Sequence, residues 1–210
     1  MAEDGSWPSI RERGLLSTSE LLTVYGYNNE GREAIESEWR RRSVVIRRDG
    51  LPDAVVRDQL VMPPEALQEC LSPGLTPRDW YRLVNSKIFF WTSQIDLARF
   101  LSARSYRGSP HVVIEVDSAK LIERYVDRIT LTPFNTGSTL HGGDYSKARI
   151  RGRETFQRIA DYNVAWVKEL VVEDGVPDVT QFVNSVKRCV SHSTDWSNPR
   201  YEELATLWPA

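Results

Sequence analysis

The chain has 210 residues, of which 40% are hydrophobic, enough to bury a sizeable core within one domain. Its 27 basic and 29 acidic residues give a net charge of -2, so the overall charge calls for neither a nucleic-acid nor a membrane partner. No apolar run approaches the length of a membrane span, and the acidic start, Met1-Ala2-Glu3-Asp4, is unlike a signal peptide; together they predict a cytoplasmic protein.

Helical patterns dominate the start of the chain. Ser6 can cap a short helical segment that stops at Gly14, and Ser17-Thr18-Ser19-Glu20 has the form of a capping box. Residues 30–42 carry a narrow apolar stripe in a charged background, and their basic end, Arg40-Arg41-Arg42, suits a helix C-terminus. This stretch is therefore predicted to be a helix on the surface of a core.

A β-hairpin and two further helices follow. Val44-Val45-Ile46 and Ala54-Val55-Val56 flank Asp49-Gly50, a pattern that predicts a hairpin with glycine in its tight turn. From Pro63 onward two helices are expected, the second capped by Thr76 with proline at its first position.

Short apolar runs in the rest of the chain predict the core sheet: 88–91, 111–116, 129–131 and 169–172. Ser93 and Ser118 are placed to cap the helices after the first two runs, whereas residues 179–186 fit either a last helix or a last strand. We therefore predict an α+β fold with a mostly antiparallel sheet, helices on the outside and a helical N-terminal part. It forms a single domain over residues 1–190, followed by a polar, frayed tail over 191–210.

Common enzyme motifs are absent: the sequence has no P-loop, no dinucleotide-binding glycine pattern and only three histidines. Cys70 and Cys189 lack metal-ligand spacing and are expected to be reduced, buried thiols. Residues 133–153 are rich in Asn, Thr, Gly and Ser, and a loop of that length in a compact domain favours a functional role. Within it, His141 is expected to be an exposed loop residue.

Polar residues at strand ends and in this loop are the candidate functional side chains. Glu169 opens an apolar strand, so its carboxylate is expected at the sheet edge or in a cleft, although a solvated strand-end carboxylate fits the same position. Arg104 and Arg107 flank Tyr106 and suit pyrophosphate, with the tyrosine stacking on a base. The other candidates are Trp91, Thr92, Ser93, Asn135, Thr136, Gly137, Ser138, Thr139, Arg151 and Arg153.

Three segments resemble the ADP-ribosyltransferase superfamily: S-W-P-S-I-R-E-R-G-L-L-S-T (Ser6–Thr18), F-F-W-T-S (Phe89–Ser93) and K-E-L-V-V-E-D-G-V-P-D (Lys168–Asp178). The chain is similar to the DNA-modifying ADP-ribosyltransferase toxins and to an uncharacterised bacterial family with the same N-T-G-S-T and R-G-R-E-T-F blocks. The likeness to the uncharacterised family covers most of the chain.

The resemblance implies a split sheet that holds NAD as a substrate, without a metal ion. ADP-ribose would pass to an acceptor, either nucleic acid or protein. The resemblance assigns Glu169 to stabilise the positive charge that the departing nicotinamide leaves on the ribose. It also implies a bacterial, toxin-like transferase of the glycosyltransferase type, and such proteins often have a neutralising partner protein.

The resemblance gives the other candidates roles in binding NAD or the acceptor. Thr92 and Ser93, beside Trp91, would support Glu169 and the cofactor ribose, with a plain helix cap as the alternative for Ser93. The loop 135–139 suits ribose or phosphate, or is a plain surface loop. Arg151 and Arg153 would bind the acceptor, with solvated arginines as the alternative.

Two other functions stay open from the sequence. The superfamily anchors the adenosine ribose of NAD through a histidine or arginine just before the position that matches Met1, so either the start is assigned too far downstream or NAD is bound poorly. A non-catalytic nucleotide-binding or nucleic-acid-binding protein of the same fold is therefore the alternative. A third hypothesis is a nucleic-acid-binding module built on Arg40-Arg41-Arg42 and Arg47-Arg48.

Overall fold

The computed structural model describes residues 1–139 and 150–209, which contain seven α-helices and twelve β-strands. The helices are α1 (Trp7–Arg13), α2 (Thr18–Val24), α3 (Asn29–Glu36), α4 (Pro64–Gln68), α5 (Pro77–Asn85), α6 (Gln94–Leu101) and α7 (Ser118–Tyr125). The strands are β1 (Ala2–Glu3), β2 (Leu15–Leu16), β3 (Val44–Ile46), β4 (Ala54–Val56), β5 (Lys87–Trp91), β6 (His111–Val116), β7 (Ile129–Thr132), β8 (Gln157–Arg158), β9 (Glu169–Glu173), β10 (Gly175–Val176), β11 (Val183–Val190) and β12 (Glu202–Trp208). The predicted α+β class with mostly antiparallel strands is confirmed. His141 lies outside the described residues.

The chain divides into two compact units, the first comprising Met1–Leu15, Phe90–Asp127 and the residues from Val176 onward. Its sheet has the order β1-β6-β11-β12 with antiparallel pairing throughout. One core cluster of this unit contains Trp7, Val112 and Val186, and Trp208 packs against it.

The prediction of a frayed C-terminal tail is wrong, because β12 pairs antiparallel with β11, with Glu202 opposite Val190. Residues 179–186, which fitted either a helix or a strand, form a short 3-10 turn, Val179–Gln181, followed by the first residues of strand β11.

The second unit comprises the described parts of Leu16–Phe89 and Arg128–Gly175. Its sheet has the order β5-β9-β7-β8, so β9 lies between two other strands and four of its five residues are buried. Two clusters of buried side chains contribute to its core among the described residues. One is Met62, Leu67, Cys70, Trp80, Tyr81 and Val84, and the other is Leu22, Tyr25, Ile35, Ile46 and Val56.

Local capping signals position several helices as predicted. The Ser17 hydroxyl accepts a hydrogen bond from the Glu20 backbone N–H at 3.2 Å, and Thr76 caps α5 in the same way. Two predicted caps differ. The α7 cap is Asp117 rather than Ser118, and the Ser6 hydroxyl donates to the Glu3 carbonyl instead of capping α1.

The predicted surface helix over 30–42 ends at Glu36, and Arg40 is buried. The Arg40 guanidinium donates hydrogen bonds to the carbonyls of Arg57 and Ile35 and to Asn85 Oδ1. Burial lowers the pKa of Arg40 to about 10, and these neutral acceptors offset part of the cost of desolvation. Arg40 is therefore unavailable to the proposed nucleic-acid surface.

Both cysteines are free and buried, as predicted, and burial raises the pKa of the Cys189 thiol to about 11. Across the described stretches, none of the helices has the length and apolar character needed to cross a membrane.

Candidate functional site

Glu169 is the first residue of β9 and pairs with Thr132, the last residue of β7. Glu169 is buried, with only 4% of its surface exposed, so it is not a solvated strand-end carboxylate. The flanking strand residues Leu170, Val171 and Val172 are also buried, which explains why the strand carries this carboxylate into the protein.

Hydrogen bonds to Glu169 converge on one carboxylate oxygen, Oε2. The Thr136 backbone N–H donates at 3.1 Å and its hydroxyl at 2.8 Å. The Thr132 hydroxyl lies 3.3 Å away, but its single proton has a closer acceptor in the Phe134 carbonyl at 2.7 Å. The other oxygen, Oε1, takes no hydrogen bond from the residues that the structure describes.

Burial raises the pKa of Glu169 to about 7, and the bonds from Thr136 and Thr132 oppose that rise. The positive charge of Lys168 also favours the ionised form, but desolvation by burial outweighs all of these effects. A carboxyl group that titrates near neutral pH in a buried setting is typical of functional sites.

The predicted loop 135–139 lies directly on this carboxylate. Thr136 binds Glu169, and Thr139 donates its backbone N–H to the Val61 carbonyl at 2.9 Å. Asn135 accepts from the Gly137 N–H at 2.9 Å, which closes a tight turn. Thr136 is therefore a hydrogen-bond donor to Glu169, while cofactor binding by this loop stays a prediction.

Arg151 is buried beneath the same loop. Its guanidinium donates to the Ser138 carbonyl at 2.6 Å and to Cys70 Sγ at 3.2 Å, and it lies 5.1 Å from the centre of the Phe134 ring. These contacts hold the loop in place, so Arg151 is not a solvated arginine. Arg153, two residues later, is exposed and lines a cavity together with residues of α5.

Sequence reasoning did not name Thr132, which lies opposite Glu169, or Trp166, which contacts Pro133, as candidate residues. Thr132 could be found only from strand register, which places it opposite Glu169. Trp166 is 58% exposed, and its indole N–H donates to the Pro133 carbonyl at 3.0 Å, which fixes the orientation of an exposed ring. The only sequence signal for Trp166 was an aromatic residue shortly before Glu169.

Five predicted cofactor residues belong to the first unit: Trp91, Thr92, Ser93, Arg104 and Tyr106. Ser93 accepts from the Asp96 N–H at 3.3 Å and donates to its carboxylate at 2.7 Å, which is the plain helix-cap role. The Tyr106 ring packs edge-on against Phe100, with ring centres 4.9 Å apart. Thr92 and Arg104 are exposed, and NAD binding by all five stays a prediction.

The chain was compared with protein families, curated proteins and solved structures. The profile of DUF7002, a family of unknown function, matches residues 1–183. No curated protein and no solved structure matches the chain. Since the match spans most of the sequence, the chain belongs to the family of unknown function DUF7002.

Proposed function

We propose that this protein is an ADP-ribosyltransferase-like enzyme that cleaves NAD and transfers ADP-ribose to an acceptor, either nucleic acid or protein. The observation that carries the proposal is the Glu169 carboxylate, which is buried at the start of β9 and fixed through Oε2, with Oε1 free of hydrogen bonds from the described residues. The segment Lys168–Asp178 around it also carries the superfamily resemblance.

The geometry suits the chemistry of this reaction. Cleavage breaks the bond between ribose C1′ and the nicotinamide nitrogen, nicotinamide leaves with the bonding electrons, and positive charge develops on the ribose. A carboxylate held in place stabilises that charge better than water, which must reorient. An acceptor nucleophile then forms the new bond to C1′ and loses its proton.

The raised pKa of Glu169 fits this role. An empty site contains both protonated and ionised Glu169 near neutral pH, because burial disfavours the charge. The cationic nicotinamide ring of bound NAD would favour the ionised form, since an opposite charge at close range lowers the pKa of a carboxyl group. The substrate would thereby generate the charge that the reaction uses.

The remaining predicted residues complete the proposal. The loop 135–139, whose Thr136 binds Glu169, would contact NAD, which is consumed as a substrate. Arg151 would act by holding that loop, since its guanidinium binds the Ser138 carbonyl. The proposal requires no metal ion, and it includes a toxin-like or defensive role with a neutralising partner protein.

A second candidate is a non-catalytic, nucleotide-binding protein of the same fold. The observation that favours it is the burial of Glu169, whose carboxylate anchors the loop through Thr136. A carboxylate that only anchors a loop needs no substrate. The two candidates differ in whether bound NAD releases nicotinamide.

The test measures nicotinamide released from labelled NAD by the wild-type protein, by Glu169→Gln and by Glu69→Gln, an exposed carboxylate in the same unit. We expect release by the wild type and the Glu69 variant, and a loss of about a hundredfold or more in Glu169→Gln, the size typical for one pre-aimed electrostatic group. Label in the DNA, RNA or protein fraction of a lysate then identifies the acceptor. Equal turnover by all three proteins would refute the role of Glu169, and calorimetric binding of NAD without nicotinamide release would establish the second candidate.

A further inference from the structure

A cavity of about 330 Å³ lies against α5 in the second unit. This volume is within the range of small-molecule sites. Its lining combines apolar and charged side chains: Leu75, Trp80, Leu83, Asp79, Arg82 and Arg153. None of the residues that hydrogen-bond Glu169 lines it, and Arg153 is the one lining residue that the sequence had singled out.

Arg153 is the charged lining group that remains available to a ligand. Arg82 is engaged, because its guanidinium donates to Glu33 at 2.6 Å. Asp79 caps α5 through Oδ2, which accepts from the Thr76 N–H at 2.9 Å. In the described parts of the chain, the Arg153 guanidinium makes neither a hydrogen bond nor an ion pair, and Asp79 Oδ1 accepts no hydrogen bond.

Both neighbouring segments of Arg153 are hydrogen-bonded to Ser72, one through its backbone and one through a side chain. The Arg151 carbonyl accepts from the Ser72 N–H at 2.8 Å, and the Ser72 hydroxyl donates to Glu154 at 2.6 Å. The neighbouring carboxylate of Glu154 is thus occupied by Ser72. A guanidinium on a fixed backbone loses less conformational freedom when it binds an anion.

We propose that this cavity binds a nucleoside monophosphate. The Arg153 fork matches the phosphate oxygens and can donate two parallel hydrogen bonds to them. Asp79 Oδ1 offers an acceptor for a ribose hydroxyl, and Leu75 and Leu83 offer apolar surface to a planar base. The proposal goes beyond the proposed function and does not depend on NAD cleavage.

The test is isothermal titration of the full chain with adenosine monophosphate, adenosine and inorganic phosphate. Arg153→Gln is compared with Arg78→Gln, a control on α5 whose arginine pairs with Glu33 and does not line the cavity. We expect adenosine monophosphate to bind the wild type and the control equally, and Arg153→Gln about tenfold to a hundredfold more weakly, as for loss of a charged hydrogen-bond partner. Adenosine is expected to bind more weakly than its monophosphate.

Three results would overturn the proposal: no binding of adenosine monophosphate at millimolar concentration, wild-type affinity in Arg153→Gln, or inorganic phosphate binding as tightly as the nucleotide. The third would show that the apolar wall and Asp79 contribute nothing. The titration contains no NAD and measures no turnover, so its failure is distinguishable from failure of the proposed enzymatic activity.

Discussion

The buried carboxylate of Glu169 makes the stability of this protein depend on pH in an unusual direction. In the unfolded chain Glu169 ionises at its ordinary pKa of 4.5, whereas in the folded chain burial raises its pKa to about 7. Between these values the folded protein binds more protons at this site than the unfolded chain does. Stability contributed by this group therefore falls as pH rises from 4.5 to 7.

The size of the effect follows from the two pKa values. Each pH unit between them corresponds to about 1.4 kcal/mol, so the ionised carboxylate costs the folded state about 3 kcal/mol above pH 7. In Glu169→Gln the side chain is neutral at every pH, and its amide oxygen can still accept from Thr136. Between about pH 5 and about pH 8 the stability of the wild type relative to the variant should fall by about 2 to 3 kcal/mol.

The assay is urea unfolding of the wild type and Glu169→Gln at a series of pH values, followed by tryptophan fluorescence. Subtracting one protein from the other removes the titration of all groups that the two share. A difference that does not change with pH, or that moves in favour of the wild type as pH rises, would refute the raised pKa of Glu169. The same variant serves the NAD assay, so its folding is established alongside its activity.

Two further predictions test packing and hydrogen bonding. Gly14 has φ +83° and ψ -176°, and a Cβ there would lie 2.5 Å from the Val176 carbonyl oxygen, so Gly14→Ala should lose about 3 to 5 kcal/mol of unfolding free energy. Gly5 has φ +77° and open space around it, so Gly5→Ala should lose only about 1 to 2 kcal/mol. Thermal unfolding of both variants measures the two losses, and equal losses would contradict the steric overlap at Gly14. Thr136→Val removes the 2.8 Å hydroxyl bond that lowers the pKa of Glu169, so the pH at which stability falls should move upward; a downward move in the urea series would contradict this.

Local signals in the sequence were enough to predict much of the secondary structure. The capping boxes at Ser17 and Thr76 and the hairpin around Asp49-Gly50 depend on residues a few positions apart, and all three are confirmed. The position of Glu169 at the start of a strand was predictable in the same way, because an apolar run follows it at once. Short-range hydrogen bonds and side-chain periodicity decide such features.

Contacts between distant segments were decided by the tertiary structure alone. The end of the tail became β12 because β11 offers it a pairing edge, although most of the residues that precede it in the tail are polar. Arg40 entered the interior because carbonyls from separate segments accept its protons, and this distinguishes it from the adjacent, exposed Arg41.

The same division holds for the candidate site. The sequence alone predicted Glu169 at a strand end and the loop 135–139 as a candidate site. It also predicted Arg151 and Arg153 as candidate side chains. Only the folded chain brings Thr136 onto Glu169, turns Arg151 inward beneath the loop and leaves Arg153 on a cavity lined by residues of α5. The physical reason is that register and loop packing depend on which side chains are buried together, and burial also sets the pKa of Glu169.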